Sequence, residues 1–397
     1  MGHWTRRLQI GVDCTCWSNE RGYGRFAREI IATMVRLAPA HEFLCFVDQA
    51  SADRFSIGQR NARSILVRLG KAASVAASSS GFRSPVDMVA MTRAVARERL
   101  DVFFSPSVYT YFPLPPRLRA VVTIHDAIAE RFPSLTLPSL RARLFWALKL
   151  KLALFQARRI LTVSDYAASE VAEVHGVPRD RIDVATEAAA SDFRPRDAAS
   201  ASRESSAAGV PSGAAYFIYV GGFNPHKNIE SIIRSHATVV ARMDDKPHLV
   251  MVGTLDRDVF HGDMSGVRQA LEAAGTSHLV HWPGFVNDEP LSALNSGALA
   301  LLLPSASEGF GLPAVEAAAC GTPVIATRAS PLPQLLDGGG IFVDPGDEAQ
   351  LANAMSALTM DASLRARLGL RALERSRELT WEKGARSALA SLEAAAA

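Results

Sequence analysis

The stretch "ALALLLPSASEGFGLPAVEAAACGTPVIAT", residues 298–327, contains the pattern that decides the fold. It opens with an apolar run of strand length, passes through a loop with two glycines, and continues into an alanine-rich segment that stops at Gly321. Pro313 suits the first turn of a helix, and a glycine commonly follows the last turn. A second apolar run comes next. Strand, loop, helix and strand in this order predict a parallel sheet covered by helices.

The same alternation continues along all 397 residues. The predicted strands of the first half are LQIGVD, FLCFVD, DVFFS, AVVTIHD and RILTVSD, and those of the second half are YFIYVGG, HLVMVG, HLVHWPG, ALALLLPS, PVIAT and GIFVDP. A chain of this length favours two domains. We therefore predict an α/β protein with two domains and a ligand-binding cleft between them.

The segment "RDAASASRESSAAGVPSGAA", residues 196–215, separates the two series of strands. It is rich in Ser, Ala and Gly and has no apolar periodicity, so we predict an interdomain linker rather than a loop within one domain. The domains are then residues 1–195 and 216–376. Residues 377–397 form a C-terminal helix that we expect to pack back on the N-terminal domain.

The net charge of +3 is unevenly distributed. Residues 1–195 hold 27 basic and 18 acidic residues, a net +9, and the remainder holds 16 and 22, a net −6. The N-terminal half is therefore expected to meet an anionic acceptor or surface, and nothing indicates nucleic acid. The four cysteines fit neither zinc nor disulfide spacing, and the sequence shows no secretory signal or membrane span, so we expect a cytoplasmic location.

Two carboxylates of the opening stretch, Glu308 and Glu316, stand eight positions apart. Glu308 follows the strand, and Glu316 lies about one turn into the helix. Singly, each is as well explained by a helix-terminus charge or a solvated helix face. Carboxylates bind hydroxyls, whereas amides at a helix N-terminus bind phosphate. Together they suit a ligand with sugar hydroxyls and a diphosphate, which is a nucleotide-sugar.

A lysine follows another buried strand in "YFIYVGGFNPHKN". Lys227 stands where a helix is predicted to start, and Gly221 and Gly222 permit close approach of the backbone. A lysine beside a helix N-terminus is suited to bind phosphate. An isolated lysine would more simply be a solvated turn residue.

These motifs resemble family 4 of the retaining glycosyltransferases, which has the GT-B fold of two facing Rossmann-like domains with a deep interdomain cleft. The segments that carry the resemblance are EGFGLPAVEAAACGTPVIAT, YVGGFNPHKNIESIIRSHA, VVTIHDAIAERFP, VSDYAASEV and GYGRFAREI. The likeness extends from the first strand to the last helix, LTWEKGARSALASL.

The resemblance implies roles for the residues of the second domain. Glu308 would contact donor-sugar hydroxyls near the reacting carbon, Glu316 would hold the ribose, and Lys227 would neutralise the leaving diphosphate. The backbone of the neighbouring loops would complete the donor site with Gly309, Phe310, Gly311, Leu312 and Gly222.

For the first domain, the resemblance implies that His125 of "TIHD" contacts the donor sugar from across the cleft. Gly22 and Gly24 would let the first loop approach the donor and the acceptor. The segments "HDAIAERFP" and "NPHKN" are similar to those of members that transfer mannose to polysaccharide or lipid-linked acceptors. GDP-mannose is therefore the first expectation for the donor.

Two positions depart from the family pattern. Many members carry an arginine where this chain has Gly222, and His226 is a candidate to share the missing charge. Members often carry Pro-Asn-Gly-Val where this chain reads "DVATEAAASDF", residues 183–193. That segment concerns the acceptor side and the hinge more than the donor side.

The reaction expected is retaining transfer by a front-face route, in which the leaving phosphate takes the acceptor's proton. Glu308 as a covalent nucleophile is the alternative. No cofactor and no metal are expected. The sequence "DRD", residues 256–258, resembles a metal-binding Asp-x-Asp but is better explained as a solvated loop.

Other classes of protein remain as alternatives. In an NAD(P) oxidoreductase, "GYGRFA" and Asp48 would bind the dinucleotide, but eight residues separate Asp13 from Gly22 where the fingerprint should follow the strand at once. A sugar-nucleotide epimerase or phosphorylase would share the fold. A non-catalytic nucleotide-sugar-binding protein would not need Glu308, Glu316 and Lys227 together.

One segment suggests a membrane contact. "SLRARLFWALKLKLALFQARR", residues 139–159, has six basic residues, no acidic residue and many leucines. A basic amphipathic helix can lie in a membrane interface. The competing interpretation is that its apolar side packs on the sheet of the N-terminal domain. The inner face of the membrane is thus a candidate location.

Overall fold

The computed structural model describes residues 6–20, 22–73, 84–137, 139–254 and 264–397. The chain divides into two compact units. The first consists of Met1–Glu187 together with Trp381–Ala397, and the second consists of Ala188–Thr380.

The strands of the described ranges all lie in two sheets, one for each unit. The sheet of the first unit contains β1 (Gln9–Asp13), β2 (Glu42–Val47), β3 (Ala62–Leu66), β4 (Val102–Ser105), β5 (Ala120–Thr123), β6 (Ala157–Thr162) and β7 (Ile182–Val184). The sheet of the second unit contains β8 (Tyr216–Val220), β9 (His248–Val252), β10 (Val280–Gly284), β11 (Leu301–Leu303), β12 (Val324–Thr327) and β13 (Gly340–Val343).

Helices follow most of these strands. In chain order they are α1 (Gly22–Leu37), α2 (Gln49–Ala52), α3 (Pro85–Ala96), α4 (Ile128–Arg131), α5 (Pro133–Thr136), α6 (Leu140–Gln156), α7 (Asp165–His175), α8 (Ala198–Ala207), α9 (Ile229–Val240), α10 (Met264–Ala274), α11 (Asp288–Gly297), α12 (Leu312–Ala319), α13 (Leu332–Leu335), α14 (Glu348–Met360), α15 (Ala362–Ser376) and α16 (Trp381–Ala396). Among the helices of the described ranges, none is both long and apolar enough to cross a bilayer.

Both sheets are parallel and share one topology. The order is β3-β2-β1-β4-β5-β6-β7 in the first unit and β10-β9-β8-β11-β12-β13 in the second. The first strand of each unit is therefore central, and the strand order reverses beside it, between β1 and β4 and between β8 and β11. This switch point is where open parallel sheets bind their ligands, beyond the carboxyl ends of the strands.

The predicted strands are all present, and most of them are buried on both faces. Every residue of β4, β5, β11 and β12 is buried, as continuous apolar runs require. Two strands were missed. β3 has an exposed, mixed composition, and β7 is only three residues long. Both lie at an edge of the sheet, where one side lacks a neighbouring strand and the apolar signal is weak.

The segment 196–215 is not a linker between the units, since it lies within the second unit. Its residues include α8, whose N-cap Asp197 accepts a hydrogen bond from the Ser200 backbone N at 2.8 Å. α8 packs on α11 through small residues, and a Cβ added at Gly297 would lie 3.0 Å from the Ala201 Cβ. Small residues suggested flexibility in the sequence, but here they permit close helix packing.

The chain instead passes between the units after Glu187 and again after Thr380. α16 packs against α1 and the sheet of the first unit, and its Gly384 is needed because a Cβ there would lie 2.3 Å from the Thr186 carbonyl oxygen. Ser387 Oγ donates to the Val184 carbonyl oxygen at 2.6 Å. The C-terminal helix therefore completes the first unit.

Candidate active site

The loop after β8 brings a lysine to the switch point of the second sheet. Gly221 ends the strand with φ 155°, and a Cβ at Gly253 would lie only 2.1 Å from the Gly221 carbonyl oxygen, so the two loops need glycine at this approach. A single 3₁₀ turn, Pro225–Lys227, precedes α9. Lys227 thus lies at the end of a short turn in front of a helix N-terminus, close to where the sequence placed it.

The neighbouring loop, after β11, is tied to this lysine loop. Asn228 Nδ2 donates to the Pro304 carbonyl oxygen at 2.8 Å, and the Ala306 backbone N donates to the His226 carbonyl oxygen at 2.7 Å. Asn228 itself has φ 55°, a left-handed conformation in which asparagine is favoured over most residues. These bonds fix the spacing of the two loops.

The fixed spacing brings Lys227 and Glu308 into contact. Lys227 Nζ donates to Glu308 Oε1 at 2.7 Å, and Ser305 Oγ donates to the same oxygen at 2.6 Å. The Glu308 side chain is 10% exposed and that of Lys227 is 19% exposed. Among the described residues, both of these bonds go to Oε1, and the second carboxylate oxygen of Glu308 can accept a hydrogen bond from a hydroxyl of a ligand.

A glycine turn follows Glu308 and starts α12. Gly311 is the N-cap with φ 86°, and a Cβ there would lie 2.7 Å from Leu332 Cδ1. Only glycine fits both the conformation and the space. Pro313 stands in the first turn of α12, as predicted. The first amides of a helix have no partner within the helix, so this end favours anions.

Three predicted donor residues are buried around that turn. Phe310, Leu312 and Glu316 are all inaccessible or nearly so. Glu316 is the fifth residue of α12, one turn beyond Gly311, so it and Glu308 belong to the same strand–loop–helix unit. Gly309 and Gly222 lie in the loops after β11 and β8, and Tyr219 Oη donates to the Gly222 carbonyl oxygen.

His226 does not replace the missing positive charge at position 222. The side chain is buried, and burial followed by the charge of Lys227 lowers the pKa of His226 to about 3. The imidazole is therefore neutral at physiological pH. The positive charge of this turn is carried by Lys227.

In the first unit, the loop after β1 brings Gly22 and Gly24 into α1. A Cβ at Gly24 would lie 2.1 Å from the Asn19 carbonyl oxygen, whereas a Cβ at Gly22 would meet nothing within 4 Å. The requirement for glycine at position 24 comes from this packing against the preceding loop. Gly22 has no such steric requirement within the described residues.

His125 follows β5 and is held by its backbone surroundings. Nε2 donates to the Pro106 carbonyl oxygen at 3.1 Å, and the ring lies edge-on to Phe26 with centroids 4.9 Å apart. Burial lowers the pKa of His125 to about 4, partly offset by the bond to Pro106. The other ring nitrogen, Nδ1, lies 4.0 Å from Glu187 Oε1.

Sequence reasoning missed two acidic residues near these loops. Asp13 Oδ1 accepts from Thr15 Oγ1 at 2.7 Å, and Oδ2 accepts from Thr110 Oγ1 at 2.8 Å. Glu187 is buried beside His125. The signal for Asp13 was a carboxylate at the end of a buried strand. The signal for Glu187 was an acidic residue in the segment that departs from the family pattern.

The Asp-x-Asp sequence and the cysteines were not predicted to hold a metal ion or to carry a reaction. No group of three or more His, Cys, Asp or Glu there is arranged to hold a metal ion, and the "DRD" sequence, residues 256–258, lies outside the described residues. Cys14 and Cys16 are buried, and burial raises the pKa of both thiols, so they stay protonated.

Two family models match the chain, one in each unit. The model described as "Glycosyltransferase Family 4" matches residues 21–186, and the model described as "Glycosyl transferases group 1" matches residues 201–375. The first match contains His125, and the second contains Lys227, Glu308 and Glu316.

Characterised relatives align with large parts of the chain. The O-antigen chain mannosyltransferase B of Escherichia coli is 30% identical over 290 residues, which are 71% of this chain and 71% of that protein. A D-inositol 3-phosphate glycosyltransferase of Arthrobacter sp. (strain FB24) is 29% identical over 251 residues, 60% of this chain and 56% of that protein. The chain thus spans just over half the length of the second relative.

Solved structures share the fold. Sucrose-phosphate synthase from Thermosynechococcus elongatus has a TM-score of 0.76 at 20% identity, with 98% of this chain and 100% of that chain covered. Alr3699/HepE of Anabaena, solved in complex with UDP and glucose, has a TM-score of 0.72 at 16% identity, with 98% and 100% covered.

Proposed function

This chain belongs to glycosyltransferase family 4 and has the GT-B fold with two Rossmann-like units, and from this premise we propose that it transfers mannose from GDP-mannose, with retention of configuration. The acceptor in this proposal is a glycan or lipid-linked glycan of cell-surface polysaccharide synthesis. The donor, acceptor and stereochemistry are the proposed part, since membership of the family establishes a glycosyltransferase.

The observation that carries the proposal is the contact between Lys227 and Glu308 at the switch point of the second sheet. A cation and a carboxylate 2.7 Å apart suit a ligand whose leaving group is anionic and whose sugar carries hydroxyls next to it. An NAD(P) oxidoreductase would not need this pair.

In the proposed step, the bond between the anomeric carbon and the diphosphate oxygen breaks while the acceptor oxygen bonds to that carbon from the same face. The proton of the acceptor hydroxyl passes to the departing phosphate oxygen. Lys227 and the amides at the start of α12 stabilise the negative charge that develops on the phosphate. Glu308 binds a sugar hydroxyl and keeps Lys227 in place.

Glu316 has a binding role in this proposal. It is buried on α12, one turn behind Gly311, where a carboxylate can accept hydrogen bonds from the two ribose hydroxyls of the nucleotide. The energy of those bonds would be similar in the ground state and the transition state. Glu316 would therefore affect donor affinity, whereas Lys227 and Glu308 would affect the rate of transfer.

The names of the relatives and of one solved structure support different donors and acceptors. The name of the first relative supports a mannosyl donor, and that of the second supports an acceptor such as D-inositol 3-phosphate. The Anabaena structure with UDP and glucose supports a UDP-sugar. An epimerase or phosphorylase would use the same loops without a glycan acceptor.

Thermal shift with GDP-mannose, UDP-glucose, UDP-N-acetylglucosamine, GDP and UDP tests the donor. We expect GDP-mannose, as the proposed donor, to stabilise the protein most. A ligand present at 100 times its Kd contributes about 2.7 kcal/mol to the stability of the native state. The strongest donor is then incubated with lipid-linked glycan and with D-inositol 3-phosphate, and the anomeric configuration of the product is read by NMR.

The outcomes separate the alternatives. An α-linked product from the α-linked donor supports retention, and an inverted product contradicts it. An isomerised donor formed without any acceptor indicates an epimerase, and binding without hydrolysis or transfer indicates a non-catalytic protein. Stronger stabilisation by a UDP-sugar would contradict GDP-mannose as the donor and leave the transfer chemistry standing.

A further inference from the structure

Within the described residues, helix α6 is anchored in the first unit by one side. Leu150 and Ala153 are buried, and Trp146 Nε1 donates to Glu130 Oε1 at 2.5 Å. Near the end of the helix, Gln156 Nε2 donates to the Leu114 carbonyl oxygen at 3.0 Å. These contacts determine which side of α6 faces the sheet, so the orientation of the opposite side is determined as well.

The opposite side of α6 is apolar and exposed. A stripe at intervals of four and three residues lies on this face, with exposed fractions between 40% and 86%, and consists of Leu140, Leu144, Leu148, Leu152 and Phe155. Phe145, beside the stripe, is also exposed. Soluble proteins seldom expose a continuous row of large apolar side chains unless another surface covers it. We call this row the leucine stripe.

The charged residues of α6 and its flanks have one sign. Residues 139–159 contain six basic residues and no acidic residue. Arg141 and Lys151 are exposed on α6, and the Arg141 guanidinium lies 5.5 Å from the centre of the Phe145 ring. The inner side explains the other cations better, since Arg143 and Lys149 donate to backbone carbonyls of the first unit.

We propose that the leucine stripe docks α6 in the interface of an anionic lipid bilayer, with the helix axis parallel to the membrane surface. The apolar side chains enter the boundary between headgroups and acyl chains, while Arg141 and Lys151 contact the phosphates. A second copy of the chain is a poorer occupant, because two identical stripes would bring their basic residues face to face. This surface does not depend on the donor or acceptor proposed above.

Co-sedimentation with vesicles tests the surface without an activity assay. Vesicles of equal parts phosphatidylglycerol and phosphatidylcholine should pellet the full-length protein at low salt, and pure phosphatidylcholine should pellet much less. Each exposed basic residue should change the partition coefficient by about fivefold. Raising the salt concentration from about 50 mM to about 500 mM should release the protein, because the added ions screen the attraction between the basic residues and the anionic lipid.

Two variants separate the apolar and the charged contribution. L144Q/L148Q removes the centre of the stripe, and R141E/K151E reverses two exposed charges, with neither pair among the inner contacts of α6. The matched controls are V86Q/V89Q, on the exposed side of α3, and R60E/R68E, which makes the same charge change elsewhere in the first unit. All four should keep the circular dichroism of the parent protein.

Loss of pelleting in both α6 variants and normal pelleting in both controls would support the proposal. Equal pelleting with neutral and anionic vesicles, no pelleting with either, or unchanged pelleting of the α6 variants would overturn it. A dimer in analytical ultracentrifugation that dissociates in L144Q/L148Q would also overturn it, since a second copy would then cover the stripe.

Discussion

The two sheets of this protein have the same strand order around the switch point but carry different chemistry there. After β8 and β11, the loops of the second unit bring together a charged pair, Lys227 and Glu308, 2.7 Å apart. After β1 and β4, the first unit places Asp13, whose oxygens accept hydrogen bonds from the hydroxyls of Thr15 and Thr110.

The histidine of the first unit extends the contrast. His125 is buried and neutral at physiological pH, while the second unit places a lysine in contact with a glutamate at its loop. The topology determines where a ligand can bind, and a few loop residues determine which charges meet it. Changes in the loops of the two units should therefore have separable effects.

The largest effect is expected from Lys227→Ala. Loss of the cation should lower kcat/KM by about 10²- to 10³-fold, because the developing phosphate charge loses its stabilisation, and Lys227→Arg should keep part of the rate. Steady-state kinetics measure kcat/KM, and calorimetry with GDP measures the affinity for the nucleoside diphosphate. Lys246→Ala, an exposed lysine of the same unit, is the control. Wild-type affinity of the alanine variant for nucleoside diphosphate would contradict the phosphate role.

The two glutamates should differ in which kinetic constant they change. Glu308→Gln removes a charge beside the reacting sugar and should reduce kcat by about 10²-fold. Glu316→Gln should weaken donor binding by about tenfold, or 1.4 kcal/mol, and leave kcat nearly intact. Steady-state kinetics with the true donor resolve the two. Unchanged kcat and KM in both variants would show that the site is assigned to the wrong residues.

The glycines of α1 test the loop of the first unit. Gly24→Ala places a Cβ 2.1 Å from the Asn19 carbonyl oxygen and should cost about 2 kcal/mol of unfolding free energy by overpacking. Gly22→Ala has open space and is the matched control, with no expected loss. Urea unfolding followed by circular dichroism gives the difference. Equal stability of the two variants would argue against the steric requirement at Gly24.

The smallest effect concerns pH. The pKa of His125 in the fold, about 4, lies below its unfolded value, so the unfolded chain binds the proton more readily between the two values. The contribution of His125 to stability is therefore fully present above about pH 6.5 and is lost as the pH drops towards 4. Between pH 7 and pH 5.5, the free energy of unfolding of the parent protein should fall by about 1 kcal/mol more than that of His125→Gln.

Urea unfolding at both pH values measures that difference, with His278→Gln as a control at an exposed histidine. A loss of the same size in the His125 variant and its parent would mean that other groups cause the pH dependence.

Much of the fold could be predicted because its strands are buried on both faces. The continuous apolar runs of β8, β11 and β12 cannot be confused with loops, and the family predicted from the motifs is confirmed by the family models. The edge strands β3 and β7 were missed because β3 has an exposed, mixed composition and β7 has only three residues. The segment containing α8 was misassigned because small residues suit both flexible linkers and close helix contacts.

The site was predictable where spacing determines geometry. A strand followed by Glu308, a glycine turn and Glu316 can only place both carboxylates along one loop and helix, and the structure has this arrangement. The contact of Lys227 with Glu308 was not predicted, since it depends on the adjacency of β8 and β11, which are 81 positions apart at these residues. The neutrality of His226 also depends on burial, which sequence alone does not measure.

The packing of α16 on the first unit has a consequence for biosynthesis. A ribosome makes β1 to β7 first, yet the helix that covers this sheet is translated only after the last residue of the second unit. The nascent first unit must therefore wait with the surface under α16 uncovered while the second unit, whose residues are contiguous, can already reach its final structure. Domains usually fold in the order of their synthesis, whereas here the second unit can be completed before the first. A chaperone that shields the exposed sheet during this interval would act on the N-terminal part of the chain.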